Sequence, residues 1–361
     1  MWACDECMRR TWLLGRVSAY LQFQRKRLED ILTLGDEQLI TLWANRVRDG
    51  LEHEYEDFDR SRAEGARARA EAAGLELVCR CDAAYPQSLL RLRTPPAVLH
   101  VAGGMARFLE LAQADPVALI GSRRATGYGQ EIAHALGRGC SASGLCVVSG
   151  MAIGADACAH RGALAAGGHT VAVLAGCACA PYPKANSGLH GKILASGAAV
   201  SEFGPGTALR GWTFIARNRI IAGLARLTVV VQGRADSGAL STAAFARGLG
   251  RPVGAVPGAV SVGQSEGPNQ LLAVGAVMIR DAQDVLNAVF GAGVRDAESA
   301  GRAGLGSGQV ALLEAIANGA DTAGALTRAG VGGRQMLVIL AELELAGCVR
   351  RAAGGRYIVT A

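Results

Sequence analysis

Lysine is almost missing from this chain. Lys26, Lys184 and Lys192 are its only lysines, so arginine supplies nearly all of the 37 basic residues. Aromatic residues make up 5% of the 361 positions against 49 glycines, a balance that predicts close-packed helices and strands joined by glycine turns. No apolar run reaches the roughly 18 residues a membrane helix requires, and the opening MWACDECMRR has charges but no apolar signal core behind them. A cytoplasmic chain with no membrane partner is the expectation. GxxxxGK[ST] does not occur, and GxGxxG is missing after the first strand of the regular region, which argues against ATP hydrolysis and ordinary NAD binding. We therefore expect no cofactor.

Ten cysteines are present, and three pairs lie close in sequence: Cys4 with Cys7, Cys79 with Cys81, and Cys177 with Cys179. No second CxxC or finger-spaced histidine pair accompanies them, and Cys140, Cys146, Cys158 and Cys348 fall singly in apolar periodic segments. Free or buried thiols are expected, with no metal ligand assigned and Cys4 and Cys7 left open. Acidic residues are also scarce in one place. Between Gly121 and Arg234 there are 11 basic residues against Glu131, Asp156 and Glu202, which points to a polyanionic partner.

Residues 1–78 read as a helical N-terminal domain. They include a charged helix, YEDFDRSRAEGARARAEAAG, that closes on Gly74. Residues 79–290 read as an α/β core: VALIG, LCVVSG, TVAVLAG, GAAVSEFG, LTVVVQG and RPVGAVPG are short apolar runs, mostly separated by helix-length segments. That alternation predicts an extended Rossmann-like parallel sheet buried on both faces, with functional loops at the strand carboxyl ends. Residues 291–307 read as a linker. Residues 308–361 give three helices and a hairpin turning at Gly354-Gly355, the outline of a C-terminal winged-helix domain. Its third helix carries Glu342 and Glu344, so protein contact or regulation fits it at least as well as major-groove reading.

The strand ends carry the candidate chemistry. After the first regular strand, Gly121-Ser122-Arg123-Arg124 leads into a helix, a place where backbone N–H groups, a helix dipole and two guanidinium groups suit a phosphate. After the second, Ser149-Gly150 precedes a helix bearing Asp156 and His160. A Ser149/Asp156/His160 triad is disfavoured, because the acid and histidine are four apart on one helix and no GxSxG elbow presents the serine. After the third, Pro181-Tyr182-Pro183 runs into Lys184 and Asn186, and Tyr182 fits either base stacking or packing under the prolines. Arg217-Asn218-Arg219 then opens a helix-to-strand stretch.

GSRRATGYG, SGMAIGADACAHRGALAAGGHTVAVLAG, YPKANSGLH, SEFGPG, FIARNRIIAGLA, VVVQGRADSGALSTAAFARGLGRPVGAVPG and GPNQLLAVGA stand in an order and spacing that resemble the DNA-processing protein A (DprA/Smf) family over roughly residues 80–290. The resemblance implies a Rossmann-like core that forms a homodimer, binds single-stranded DNA without sequence preference and helps load the RecA recombinase in natural transformation. It places DNA phosphate contacts at Arg123 and Lys184 and matches the family's Arg-Asn-Arg motif to Arg217, Asn218 and Arg219. These would line the rim of a groove. The same arginines also fit an ordering role through carbonyl and carboxylate contacts. Ala155, Ala180, Ile215 and Gln232 depart from the family pattern, and two of the changes remove acidic groups, which makes the groove more positive and weakens the case for general acid/base catalysis.

The expected site is thus Gly121, Ser122, Arg123, Arg124, Gly150, Lys184, Asn186, Arg217, Asn218 and Arg219, with no catalytic residue. Two other readings stand beside the single-strand binder: a Rossmann-like nucleotide or nucleoside-monophosphate hydrolase, and a transcription regulator reading duplex through its winged helix.

Overall fold

The computed structural model describes residues 3–47, 49–297, 305–328, 330, 334–345 and 348–359. Of the expected linker at 291–307, residues 298–304 lie outside the described residues, as do the chain's first two and last two positions, residue 48, and short stretches of the C-terminal region at 329, 331–333 and 346–347. The chain divides into two compact units, Met1–Gly291 and Ala292–Ala361.

All six apolar runs are strands. They are β3 (Val117–Ile120), β4 (Val147–Ser149), β5 (Thr170–Val173), β6 (Ala198–Ser201), β7 (Leu227–Val230) and β8 (Val253–Ala255). Every residue in them is buried, which is why they read as unbroken hydrophobic runs instead of alternating ones. Together with β1 (Glu76–Cys79), β2 (Val98–Ala102) and β9 (Val277–Met278) they form a nine-stranded sheet in the order β1-β2-β6-β5-β4-β3-β7-β8-β9. Only the β1–β2 and β2–β6 pairs are antiparallel. β3 pairs with β4 on one side and β7 on the other, in register from Val117↔Leu227 to Ile120↔Val230. The chain runs outward through β4, β5 and β6, then returns past β3 to continue outward through β7, β8 and β9. The carboxyl ends of β3 and β7 therefore flank a topological switch point, where open α/β sheets place their ligands.

The N-terminal region is helical, as expected, and docks on the core. Leu13, Leu21, Leu39 and Trp43 join Phe203 and Trp212 in one buried cluster. The Trp212 indole N–H donates to Ser18 Oγ at 2.8 Å. The charged stretch read as one helix is interrupted: Leu51–Glu56 ends before Asp59, whose carboxylate accepts from the Arg62 N–H at 3.0 Å and starts a new helix over Arg60–Ala72. In the C-terminal unit three helices, Ser307–Ala317, Ala323–Arg328 and Arg334–Leu345, precede a hairpin of β10 (Val349–Ala352) and β11 (Arg356–Val359). Gly354 and Gly355 make its turn, both at positive φ. No helix among the described residues is long and apolar enough to cross a membrane.

The cysteine pattern departs from the sequence expectation twice. Cys177 and Cys179 are joined by a disulfide, because the turn after β5 brings their Cα atoms to 5.3 Å, inside the usual bridging range. The Cys4/Cys7 pair and the Cys79/Cys81 pair, judged separately as lone motifs, converge at one point because the first helix starts where β1 ends.

Candidate functional site

A cavity of about 430 Å³ opens at the switch point. Gly121, Ser122, Arg123 and Arg124 line it from the end of β3, Arg234, Asp236, Ser237 and Gly238 from beyond β7, and Phe214, Arg217 and Asn218 from the Gly211–Leu224 helix.

The loop after β3 does not work as a bare backbone cradle. The Gly121 N–H donates to Asp156 Oδ1 at 3.2 Å, the Arg124 N–H to Ser122 Oγ at 3.0 Å, and the Thr126 N–H to Gln232 Oε1 at 2.9 Å. Asp156 is fully buried at the start of the Ala155–Ala165 helix, so a carboxylate already occupies the place a phosphate would take at that helix terminus. Burial raises its pKa above the ordinary carboxylate value, against the Arg217 charge and the N–H groups of Gly121, Ala152 and Gly150. What the loop offers an anion is the pair of exposed side chains Arg123 and Arg124.

Beside the loop runs a short aromatic strip. The Arg123 guanidinium lies over the Phe214 ring at 5.1 Å, and Phe214 meets Tyr182 with ring centroids 5.5 Å apart. Tyr182 is 47% exposed, so it is not packed away under its flanking prolines; the Tyr182-Pro183 bond is cis. Arg123, Phe214 and Tyr182 thus form one continuous edge, from the loop after β3 to the turn after β5, and exposed Lys184 follows Tyr182 two residues later in the chain.

The other expected residues are buried, with Arg217 and Asn218 forming part of the cavity wall. Arg217 is buried, its Nη1 donating to the Val173 carbonyl at 2.9 Å, and its guanidinium fills the space a Cβ would need at Gly150. Gly150 is therefore covered and not open to a ligand. Asn218 donates to the Gly238 carbonyl at 3.2 Å and Ser241 Oγ at 2.9 Å, tying two helices together. Asn186 is buried and donates to the Met151 carbonyl at 2.8 Å. Arg219 corrects the rim placement most clearly. Its Nη2 reaches both Glu202 oxygens, at 2.7 and 2.8 Å, and both side chains are 3% exposed. It borders a second cavity, of about 390 Å³, lined also by Arg9, Arg10, Arg80 and Arg93. Arg217 and Arg219 accordingly make the carbonyl and carboxylate contacts that the sequence left open as the alternative to groove contacts.

Two contributors lie outside the set of residues expected for the site. Phe214 joins the loop to Tyr182, and Arg234 extends the positive rim from the β7 side. Their signal was weak: a partly buried ring at a helix start, and an arginine after a strand.

The three side chains of the disfavoured triad have separate partners. Ser149 Oγ donates to the Leu119 carbonyl at 2.6 Å, Asp156 accepts from backbone N–H groups, and His160 Nδ1 lies 2.7 Å from Thr170 Oγ1. Burial lowers the His160 pKa to about 3, so the ring is neutral near pH 7.

Residues 76–290 match the family described as DNA recombination-mediator protein A. Among relatives, the putative DNA processing protein DprA of Mycobacterium tuberculosis is 44% identical over 186 residues, covering 52% of this chain and 48% of that protein. The chain thus spans about half the length of that relative. The structure of DNA processing protein A from Streptococcus pneumoniae covers 79% of this chain and 98% of its own, with 29% identity and a TM-score of 0.63. That of DNA processing protein A from Helicobacter pylori, described for its single-stranded DNA binding mode, covers 60% of this chain and 96% of its own, with 27% identity and a TM-score of 0.53.

Proposed function

The chain belongs to the DNA recombination-mediator protein A family, and from that premise we propose that it binds single-stranded DNA, without sequence preference, along the edge from Arg123 and Arg124 across Phe214 and Tyr182 to Lys184. The observation that carries this reading is the contact of the exposed Arg123 guanidinium with the Phe214 ring and of Phe214 with exposed Tyr182, running from the switch point toward the turn that bears Lys184. Phosphates take the cations and unstacked bases take the rings, a division that needs no base-specific hydrogen bond. Duplex DNA keeps its bases stacked and withholds their faces. The protein on this reading is a mediator with no catalytic step of its own, handing bound strand to a RecA-class recombinase as a homodimer in the cytoplasm.

Fluorescence anisotropy of labelled oligo-dT on the full chain, with duplex and mononucleotide competitors, tests the reading. Single strand should compete best. Equal competition by mononucleotide would favour a nucleotide-handling enzyme, and equal competition by duplex would contradict the stacking edge.

The aromatic strip makes a separate expectation. Tyr182→Ala should weaken oligo-dT binding by roughly 1–3 kcal/mol, the usual worth of one stacked base, and leave the salt dependence unchanged because a neutral ring releases no counterions. Titrations of the variant at several salt concentrations check both parts.

The homodimer has a candidate surface at the outer end of the sheet, where β9, paired with β8, is the edge strand among the described residues and Val277 and Met278 are exposed beside exposed Val274. Val277→Asp with Met278→Asp should sediment as a monomer at concentrations where the parent chain sediments as a dimer. A dimer unaffected by both changes would place the interface elsewhere.

A further inference from the structure

Outside the cavity at the switch point, four cysteines from two distant segments meet at the start of the N-terminal helical region. Cys4 stands at the N-terminus of the Asp5–Arg16 helix and Cys7 lies in its first turn, while Cys79 ends β1 and Cys81 follows two residues later. Their sulfurs all lie within 4.8 Å of one another. Cys7 Sγ and Cys81 Sγ are 3.7 Å apart, and the Cys4 N–H points at Cys79 Sγ at 3.4 Å. All four thiols are free of disulfides.

The spacing is diagnostic. A disulfide needs sulfurs at roughly 2.05 Å, so these are too far apart to be bonded. Four thiolates around one tetrahedral ion, at roughly 2.3 Å from it, stand about 3.8 Å from each other. An iron–sulfur cluster would carry its cysteines on separate irons and spread them more widely. Local anchoring is also in place: Arg67 is buried and donates to the Ala3 carbonyl through Nε at 2.9 Å and Nη2 at 2.7 Å, and it pairs with Asp5, which fixes the backbone on both sides of Cys4. Cys7 and Cys79 are buried, whereas Cys81 is exposed, giving an ion a path in from solvent.

We propose that Cys4, Cys7, Cys79 and Cys81 bind a single zinc ion in tetrahedral thiolate coordination, clamping the start of the N-terminal helical region to the end of β1. Zinc suits four thiolates in a closed site with no open position, an arrangement that holds structure and activates no water. The clamp joins residues 72 or more positions apart in sequence, between elements that otherwise meet through side-chain packing.

The test uses the full chain purified under reducing conditions, with zinc measured by elemental analysis and with cobalt(II) as a spectroscopic probe. One zinc per chain is expected, together with the intense visible bands of tetrahedral cobalt thiolate after exchange. Cys81→Ser removes an exposed ligand without touching the core and should lose the zinc and the cobalt bands while keeping the far-ultraviolet circular dichroism of the parent. Its thermal midpoint should be lower, and chelation should lower the parent's midpoint to match. Cys140→Ser, at a buried thiol away from the cluster, should keep its zinc. The proposal is overturned if the reduced chain takes up no zinc or cobalt, if iron occupies the site instead, or if Cys81→Ser retains the parent's zinc.

Discussion

Replacing Arg123 and Arg124 together by alanine should weaken oligo-dT binding at least about 100-fold at low salt. Each exposed guanidinium that hydrogen-bonds a phosphate contributes about 1.5–3 kcal/mol, so two lost contacts amount to roughly 3–6 kcal/mol before solvent screening trims them. Both side chains project from a loop in which the N–H groups of Gly121, Arg124 and Thr126 are already engaged by Asp156, Ser122 and Gln232, so the backbone offers only part of a cradle in their place. Stability should hardly change. Neither arginine forms an ion pair with a described residue, and removing exposed side chains away from such features normally shifts stability by less than about 0.5 kcal/mol. Parallel binding and thermal unfolding measurements on the double variant check this. A strong loss of binding with an unchanged midpoint is the expected pattern, and binding within a few-fold of the parent would remove the loop from the interface.

Arg219→Met should do the opposite. It strips the partner from a Glu202 carboxylate that is 3% exposed, and breaking a buried pair on one side costs about 3–5 kcal/mol. The double variant Arg219→Met with Glu202→Leu should recover much of that loss, because two apolar side chains avoid the desolvation penalty that the pair bears. Oligo-dT affinity of the folded double variant should stay near that of the parent. Chemical denaturation of the two singles and the double, read as a mutant cycle, measures the coupling. A double variant that is stable yet fails to bind DNA would return Arg219 to the interface.

The contrast between these arginines marks where the sequence stops being informative. The six buried strands were legible because a sheet covered on both faces demands continuous apolar runs, and their order in the chain implied loops gathered at the carboxyl ends. The direction in which each cation points was not legible. In the Gly211–Leu224 helix every residue from Ala216 to Leu224 is buried, polar or not, so no amphipathic period separates an outward arginine from an inward one. The partner of Arg219 lies 17 residues earlier in sequence, after a different strand, and that of Arg217 is a backbone carbonyl, which leaves no trace in residue identity. Glu202 stood out as one of three acids in a basic segment, and that scarcity was the available hint. The four cysteines were visible as two short-spaced pairs bracketing the N-terminal region, yet only the fold brings the start of the first helix to the end of β1. Tyr182 was ambiguous for a similar reason: its ring partner, Phe214, approaches it from another element.

The central claim is that phosphate is held by the exposed cations at the switch point, not by the buried arginines of the Gly211–Leu224 helix. Its most direct test is the salt dependence of oligo-dT binding by the parent chain and the Arg123→Ala/Arg124→Ala variant. Each phosphate contact on a single strand contributes about −0.7 to the slope of log affinity against log salt, so losing two should make the variant's slope shallower by about 1.4. A slope equal to the parent's, whatever the change in affinity, would mean that these arginines touch no phosphate and would contradict the account.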